Sequence, residues 1–160
     1  MESTRRRIYT LVFVKKPSEI LLGFKKRGLD KGKWNGFGGK VENETIEEGA
    51  LRELKEECGL SGNLRRIGVL EFDGREKNTL LIVHVFDTYT YNGDITESEE
   101  MLPKWYSTEE IPFSEMKVDT RIWFPHMLKG NLFKGYFLYQ GEDTLIDYKI
   151  ELLTELDEVK

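Results

Sequence analysis

Several features that mark particular protein classes are scarce or missing in this sequence. Its 160 residues include one cysteine, which excludes an internal disulfide framework and suits a reducing compartment. No apolar run approaches the length of a membrane span, so we expect no membrane association. The net charge of −5 argues against a surface that coats nucleic acid, although it leaves room for a local basic pocket.

The start of the chain resembles a signal peptide only in part. Basic residues precede an apolar run at 8–14, but Lys15 and Lys16 follow at once, and the sequence shows no small-residue cleavage site. We interpret this run as a strand and expect a cytoplasmic protein. The nucleus and the mitochondrion stay open as further compartments.

The overall amino-acid composition suits one globular domain. With 39% hydrophobic and 33% charged residues, we expect a single domain over residues 1–160, without repeats or linkers. Alternating apolar runs and helical spacing predict an α/β fold in which helices pack on a mixed sheet. The predicted strands are 8–14, 19–24, 64–72, 79–89, 104–106, 132–139 and 144–153, and the predicted helices are 45–58 and 119–128.

A glycine-rich loop at 28–39 follows the second predicted strand. Its five glycines make a packed helix unsuitable and allow the backbone to approach a ligand closely. The polar segment 73–78 is a second predicted loop, which joins two strands as a hairpin.

The helix at 45–58 carries three glutamates on one face. Glu53, Glu56 and Glu57 stand at i, i+3 and i+4, where like charges destabilise a bare helix by a few tenths of a kcal/mol per pair, about 0.2–0.5. Cations among these carboxylates would explain the arrangement. Hard divalent ions are the natural candidates, because Mg²⁺ is bound by a few carboxylates together with substrate phosphates.

Another face of the same helix is apolar. It carries Leu51, Leu54 and Cys58, which we expect to pack on the sheet, so that Cys58 is an inert core thiol and not a nucleophile. The alternative for the acidic face is simple solvation, as is usual for charged helix faces.

The length of the surrounding pattern decides against simple solvation. It fits the Nudix box, Gly-x5-Glu-x7-Arg-Glu-U-x-Glu-Glu-x-Gly-U with U a bulky apolar residue, over residues 38–60. At ordinary residue frequencies, its seven fixed positions coincide by chance about once in 10⁷ to 10⁸ starting points. The matching residues are Gly38, Glu44, Arg52, Glu53, Leu54, Glu56, Glu57, Gly59 and Leu60.

One part of the box differs from the usual family pattern. Gly38, and not Gly39, gives the right spacing, so the loop at 39–44 is one residue short, and Asn43 stands where glycine is usual. Asparagine tolerates a left-handed backbone better than most residues, so we expect the turn to form.

The likeness extends well beyond the box. The chain resembles the animal oxidised purine nucleoside triphosphatases of the MutT type over nearly its whole length. The resemblance implies a Nudix α/β/α sandwich, Mg²⁺ dependence with Mn²⁺ able to substitute, and cleavage of oxidised purine triphosphates such as 8-oxo-dGTP and 2-oxo-dATP to monophosphate and pyrophosphate, which sanitises the nucleotide pool. The segments that carry it are 9–12, 25–28, 34–40, 83–86, 123–125, 135–137 and 140–141.

The resemblance also assigns catalytic and metal-binding roles. Glu53, Glu56 and Glu57, with the Gly38 carbonyl, would hold one or more Mg²⁺, and Glu100 would serve as a further ligand or as the general base. The sequence leaves the choice of base open between Glu57 and Glu100.

Arg52, the remaining catalytic residue, would orient a glutamate through a bidentate ion pair. For the substrate, Asn35 and Asp119 would read the purine, Lys25 would contact phosphate, and a mostly apolar wall would enclose the base. The implied substrate-binding residues are Thr10, Lys25, Asn35, Phe37, Gly38, Gly39, Lys40, Phe72, Leu81, Lys117, Asp119, Thr120, Trp123 and Tyr139.

Three positions in this pocket depart from the family. Thr120 replaces a second aspartate, Lys117 replaces a tryptophan that stacks on the base, and Gly74 replaces a phenylalanine. We expect weaker discrimination against normal dGTP, because no second carboxylate tunes Asp119, and we expect Lys117 to offer a cation-to-ring contact in place of stacking.

Two alternatives stay open. One is a Nudix hydrolase of another compound: a methylated or ordinary nucleotide, a nucleotide sugar or a capped RNA end. The other is a non-catalytic nucleotide-binding module, against which the complete set of Arg52 and three glutamates argues. In each case we expect a small-molecule nucleotide as the ligand, no stable nucleic acid binding, and a monomer.

Overall fold

Ten strands and two α-helices form the fold in residues 4–155, which are the residues that the computed structural model describes. The two ends of the predicted domain, residues 1–3 and 156–160, lie outside this range. The strands are β1 Arg5–Lys16, β2 Glu19–Lys25, β3 Trp34–Asn35, β4 Ser61–Gly62, β5 Arg65–Glu76, β6 Thr79–Thr88, β7 Tyr91–Asn92, β8 Met101–Ser107, β9 Leu132–Gln140 and β10 Thr144–Leu153. The helices are α1 Ile46–Cys58 and α2 Thr120–Leu128, with a 3-10 turn at Phe113–Glu115.

The main sheet is mixed, as predicted. Its strands run in the order β10-β9-β5-β6-β1-β2-β3, and β8 also pairs with β2. The pairs β1–β6 and β5–β9 are parallel, whereas the other pairs of this sheet are antiparallel. Strands β4 and β7 form a separate two-stranded ribbon.

Each face of the sheet is covered by one helix. On the central strand β1, Phe13 faces a core that includes Trp123 and Phe124 of α2, while Val12 faces a second core that includes Leu54 of α1. This alternation along a strand buried on both faces produces the predicted α/β/α sandwich.

Helix α1 begins and ends with clear capping signals. Thr45 and Glu48 form a capping box, and Gly59 ends the helix with a left-handed backbone, φ +81°. The apolar face is rotated from the one predicted, since Ala50 is buried with Leu54 and Cys58. Leu51 is 37% exposed, so its predicted burial was wrong.

Two predicted loops contain strand structure. Trp34–Asn35 pairs with β2, and β5 continues to Glu76 through a register shift between Asp73 and Glu76, so that the predicted loop 73–78 shortens to a tight turn. Asn43 has φ +34°, which agrees with the predicted left-handed turn. Within residues 4–155, neither helix has the length and apolar character needed to cross a membrane.

Candidate active site

Two cavities adjoin one another beside the sheet. The first, of about 190 Å³, lies on the α2 side, and its polar lining includes Asn35, Asp119 and Lys25 among mainly apolar residues. The second, of about 410 Å³, is acidic. It is lined by Arg27, Glu53, Glu56, Glu57, Ser98, Glu99 and Glu100.

Glu57 and Gly38 join the two cavities. Glu57 lines both cavities, Gly38 lines the first, and the Gly38 N–H donates to Glu57 Oε1 at 2.8 Å. A Cβ atom at Gly38 would lie 1.8 Å from the Thr10 carbonyl oxygen, so only glycine lets the backbone run this close to β1. The Gly38 amide contacts a glutamate, while the predicted role of its carbonyl as a metal ligand stays a prediction.

Burial and mutual repulsion disfavour the charged forms of two carboxyl groups in the acidic cavity. Burial, with the nearby charges of Glu53 and Glu100, raises the pKa of Glu57 to about 8, against the opposing effects of the Gly38 N–H and Lys25. Burial also raises the pKa of Glu53, although Arg52 opposes this rise. A cation placed among these side chains would relieve both the desolvation and the repulsion.

The donor set therefore fits a hard divalent ion, which favours oxygen ligands. In the described range 4–155, no three Asp, Glu, His or Cys side chains already stand together as a metal-ligand group. Present contacts hold the carboxylates apart, since Arg52 contacts Glu53 and Glu56, and Arg27 contacts Glu100 at 3.6 Å. Rotation of these side chains is needed before they converge on one ion.

Arg52 forms the predicted bidentate ion pair, and its partner is Glu44. Arg52 Nε donates to Glu44 Oε1 at 2.8 Å and Nη2 donates to Oε2 at 2.7 Å, while Nη1 donates to Glu53 Oε1 at 3.0 Å. The Arg52 bonds lower the pKa of Glu44 to about 2. Glu44 thus fixes the guanidinium, which in turn fixes Glu53.

Two polar side chains of the first cavity, Asn35 and Asp119, have a fixed orientation. Asn35 Oδ1 accepts from the Gly36 N–H at 2.8 Å, and within residues 4–155 its amide nitrogen has no hydrogen-bond partner. Asp119, 3% exposed, accepts from Trp123 Nε1 at 2.8 Å and from the Tyr139 hydroxyl at 2.5 Å. An aromatic and aliphatic enclosure with a few oriented polar groups is typical of a site for a planar heterocycle.

A model of the NUDIX domain family matches residues 4–127 of the chain. The chain belongs to the Nudix family. It is 46% identical over 152 residues to the oxidized purine nucleoside triphosphate hydrolase of Danio rerio, covering 94% of this chain and 97% of the relative. The mouse (Mus musculus) protein of the same name is 47% identical over 146 residues, covering 90% and 94%. A crystal structure of a MutT protein from Bacillus halodurans superposes with a TM-score of 0.81 at 25% identity, covering 91% and 97%.

The Nudix box supplies three glutamates of the acidic cavity, which is one half of the candidate site. Its helix brings Glu53, Glu56 and Glu57 to the acidic cavity, and Glu100 reaches the same cavity from the segment before β8. The first cavity also contains many of the predicted substrate-binding residues. These are Thr10, Lys25, Asn35, Gly38, Gly39, Phe72, Leu81, Lys117, Asp119 and Trp123.

Four predicted substrate-binding residues lie elsewhere in this Nudix fold. Phe37 is fully buried in the core between the sheet and α1, and Lys40 is exposed, with its carbonyl accepting from Arg52. Thr120 is buried, and its hydroxyl donates to the Lys117 carbonyl. Tyr139 does not line the cavity, and its hydroxyl donates to Asp119. The Phe37 side chain packs in the core, the Lys40 side chain is exposed and the Thr120 hydroxyl is bonded to a backbone carbonyl, and none of the three lines the cavity.

Lys117 lines the cavity, but its ammonium group is already engaged. Nζ donates to Asp143 Oδ1 at 3.0 Å and to the Glu142 carbonyl, and lies 3.3 Å from Asp30 Oδ1. Its ammonium also lies 5.8 Å from the centre of the Tyr139 ring. A cation-to-ring contact thus forms with a protein side chain, and the predicted contact of Lys117 with the base stays a prediction.

The sequence analysis missed five polar or aromatic residues of the cavity, namely Tyr9, Asp30, Lys33, Trp34 and Arg75. Arg75 donates to Asp30 Oδ1 at 2.8 Å. Strand alternation from Phe72 would place Gly74 on the cavity side. The register shift between Asp73 and Glu76 places Arg75 on the cavity side instead. The one sequence feature that could have predicted this bulge is Gly74, which has a left-handed backbone with φ +83°.

Proposed function

We propose that this Nudix protein is a Mg²⁺-dependent hydrolase that cleaves oxidised purine nucleoside triphosphates to the monophosphate and pyrophosphate, and so removes damaged nucleotides from the pool. One observation carries the proposal: a base-sized cavity and a cavity lined by five glutamates meet at Gly38 and Glu57. A nucleotide with its base in the first cavity would extend its phosphates into the second. The names of the fish and mouse relatives support the same activity.

The acidic residues would act on the phosphate end of the substrate. Glu53, Glu56, Glu57 and Glu100 would hold Mg²⁺, with Mn²⁺ able to substitute. When bound, the ion supplies charge neutralisation for phosphate oxygens and acidity for the attacking water. Glu57 is a candidate proton acceptor, because its carboxyl group lines both cavities. Glu100 remains the alternative base.

Lys25 would contact the phosphates as they leave the base cavity. Its side chain lines the first cavity and lies close enough to Glu57 to lower the pKa of that carboxyl. A lysine at the border of the two cavities can bind the phosphate chain where it passes from one cavity to the other. The bidentate contact to Glu44 would keep Arg52 from swinging toward the substrate, so that Arg52 positions Glu53 and does not bind phosphate.

Base selection would depend on Asn35 and Asp119. The free amide donor of Asn35 and the buried carboxyl group of Asp119 both face a cavity that is otherwise mainly apolar. Polar groups buried in this way discriminate strongly, because a base that fails to pair with them leaves them unsatisfied. We also propose that residues 1–160 act as one cytoplasmic domain and as a monomer, with no stable nucleic acid partner.

Steady-state kinetics test the proposed function. The assay compares 8-oxo-dGTP, 2-oxo-dATP, dGTP, a methylated nucleotide, a nucleotide sugar and a capped RNA, with the nucleotide product of each substrate measured by chromatography in the presence of Mg²⁺. We expect the highest kcat/KM for an oxidised purine triphosphate. A preference for 8-oxo-dGTP over dGTP below about tenfold, or about 1.4 kcal/mol, rejects the sanitising role. Nucleotide binding without Mg²⁺-dependent turnover would indicate a non-catalytic module.

A further inference from the structure

Asp119 is held by donors from two different elements. Although it occupies the N-cap position of α2, its oxygens accept from side chains and not from the first turn of the helix. Oδ2 accepts from Trp123 Nε1 at 2.8 Å, and Oδ1 accepts from the Tyr139 hydroxyl at 2.5 Å. The carboxyl group is therefore fixed in orientation before any ligand binds.

Tyr139 is itself held in place by two cations. Its side chain is 2% exposed, and the Arg75 guanidinium and the Lys117 ammonium lie 5.6 Å and 5.8 Å from its ring centre. Burial and the adjacent Asp119 raise the pKa of Tyr139, so the phenol stays protonated and acts as a donor. Tyr139 touches Asp119 without lining the cavity and would not touch a bound base.

An ionised carboxylate offers about four acceptor positions, so the bonds from Trp123 and Tyr139 leave Asp119 able to accept from further N–H donors. The two oxygens of one carboxylate can together accept from two adjacent N–H groups. 8-Oxoguanine presents such a pair, its ring N1–H and its 2-amino group. 8-Oxoadenine presents an amino group beside a bare ring nitrogen, which would face the second acceptor oxygen.

We propose that Tyr139 is a positioning residue that holds the Asp119 carboxyl group in a fixed orientation toward the base and thereby makes the cavity select 8-oxoguanine over 8-oxoadenine. The inference rests on the proposed function, since it requires that the first cavity holds the base. Thr120 cannot supply a second carboxyl group, and its hydroxyl is engaged by the Lys117 carbonyl. Asp119 and its two donors thus carry the selection.

The charge state of Asp119 depends on groups from every element around it. Burial raises the pKa of Asp119 above its usual range and outweighs the opposing bonds from Tyr139 of β9, Trp123 of α2 and the Asp119 backbone amide, together with the positive charge of Arg75 of β5. Lys117 stands two residues before Asp119, and its charge is shared with Asp30. Removal of the Tyr139 hydroxyl takes away one stabilising donor, so the neutral carboxyl form should persist to higher pH.

The test compares Tyr139→Phe with Tyr136→Phe. Tyr136 lies on the same strand, and its hydroxyl also donates to a carboxylate, Asp73 Oδ2 at 2.6 Å, but neither residue lines the cavity. The readout is the ratio of kcat/KM for 8-oxo-dGTP to kcat/KM for 8-oxo-dATP between pH 6 and 9. Both substrates share the phosphate chemistry, so titration of the box glutamates cancels in this ratio.

We expect Tyr139→Phe to lower the ratio roughly three- to tenfold, the range of one hydrogen bond, by raising KM for 8-oxo-dGTP with kcat unchanged. The ratio should also begin its fall at a higher pH than in the unmodified protein, whereas Tyr136→Phe should follow the unmodified protein. Equal losses on both substrates, or a pH profile that Tyr139→Phe leaves in place, would overturn the inference.

A second measurement is independent of catalysis. Carboxyl ¹³C NMR gives the titration midpoint of Asp119, assigned with Asp119→Asn, and we expect Tyr139→Phe to raise it. In the unmodified protein the Tyr139 Cζ resonance should shift with pH at the same midpoint as Asp119. This measurement needs no variant, so it tests the inference even if Tyr139→Phe does not fold. Separate midpoints, or an Asp119 midpoint unchanged in Tyr139→Phe, would contradict the inference. If the protein hydrolyses no nucleotide but Asp119 and Tyr139 titrate together, the result counts against the proposed function and not against the coupling of Tyr139 to Asp119.

Discussion

The backbone N–H of Gly38 donates to Glu57 Oε1 at 2.8 Å, and this bond is the link between the base cavity and the acidic cavity. The bond depends on the close approach of Gly38 to β1, where an added Cβ would lie 1.8 Å from the Thr10 carbonyl oxygen and 2.5 Å from its carbon. Both atoms belong to the backbone and cannot move aside as a flexible side chain can.

Gly38→Ala should therefore displace the loop from Glu57 and lower kcat/KM about 100-fold, the usual consequence of a misplacement near 1 Å. The matched control is Gly130→Ala, after α2, which has φ +82° and, among the described residues, nothing within 4 Å of an added Cβ. It should cost about 1 kcal/mol of stability and leave kcat/KM unchanged. Equal activity in the two variants would contradict the structural role of Gly38.

Glu57→Gln should abolish most of the Mg²⁺-dependent pyrophosphate release, by about 10²- to 10⁴-fold in kcat, because it removes both a carboxylate ligand and a candidate base. Glu47→Gln, on the first turn of the same helix, provides the control. The Glu47 side chain is 65% exposed and contacts Arg66 outside the acidic cavity. Pyrophosphate production that survives in Glu57→Gln would exclude the proposed chemistry.

Arg52→Lys should keep the charge but lose the two-pronged contact with Glu44 and the contact with Glu53. A residue that orients a metal ligand typically contributes 10- to 100-fold, so we expect a loss of that size in kcat/KM and a higher Mg²⁺ concentration at half-maximal activity. Titration with Mg²⁺ measures both. An unchanged Mg²⁺ requirement would show that Arg52 does not position the glutamates.

His84 should make the protein less stable as the pH falls below neutral. Burial, with the nearby charge of Arg66, lowers the pKa of His84 from 6.5 to about 4. Between these values the unfolded chain binds a proton that the folded chain does not, so the free energy of unfolding should fall by about 1 to 2 kcal/mol from pH 7 to pH 5. Urea denaturation at both pH values measures this change, and His84→Gln should reduce it. An equally steep fall in the variant would assign the effect to other groups.

The sequence predicted the acidic half of the site well because its geometry is local. Glu53, Glu56 and Glu57 lie within two turns of one helix, so their spacing alone places them on one face. The capping pattern of Thr45 and Glu48 fixes where that helix starts. The rotation of the helix about its own axis was harder to predict. Ala50 and Leu51 are adjacent in the sequence, and it is Ala50 that is buried while Leu51 is exposed.

The base cavity was predicted less well because it is assembled across elements. Phe37 was assigned to the pocket by resemblance, yet it packs under α1, and Arg75 was missed because a bulge in β5 changes which residue faces the cavity. A shift of one residue moves a side chain to the opposite face of a strand, and no short-range pattern fixes such a shift.

By itself the sequence determined the α/β class, the box helix with its caps, and the set of carboxylates that helix presents, since hydrogen bonding and side-chain period within one helix depend on near neighbours. Only the tertiary structure decided that Tyr139 and Trp123 hold Asp119, that Arg75 and Lys117 flank Tyr139, and that Gly38 joins the two cavities. These contacts arise where β5, β9, α2 and the glycine-rich loop meet, and their meeting is set by strand register and layer packing.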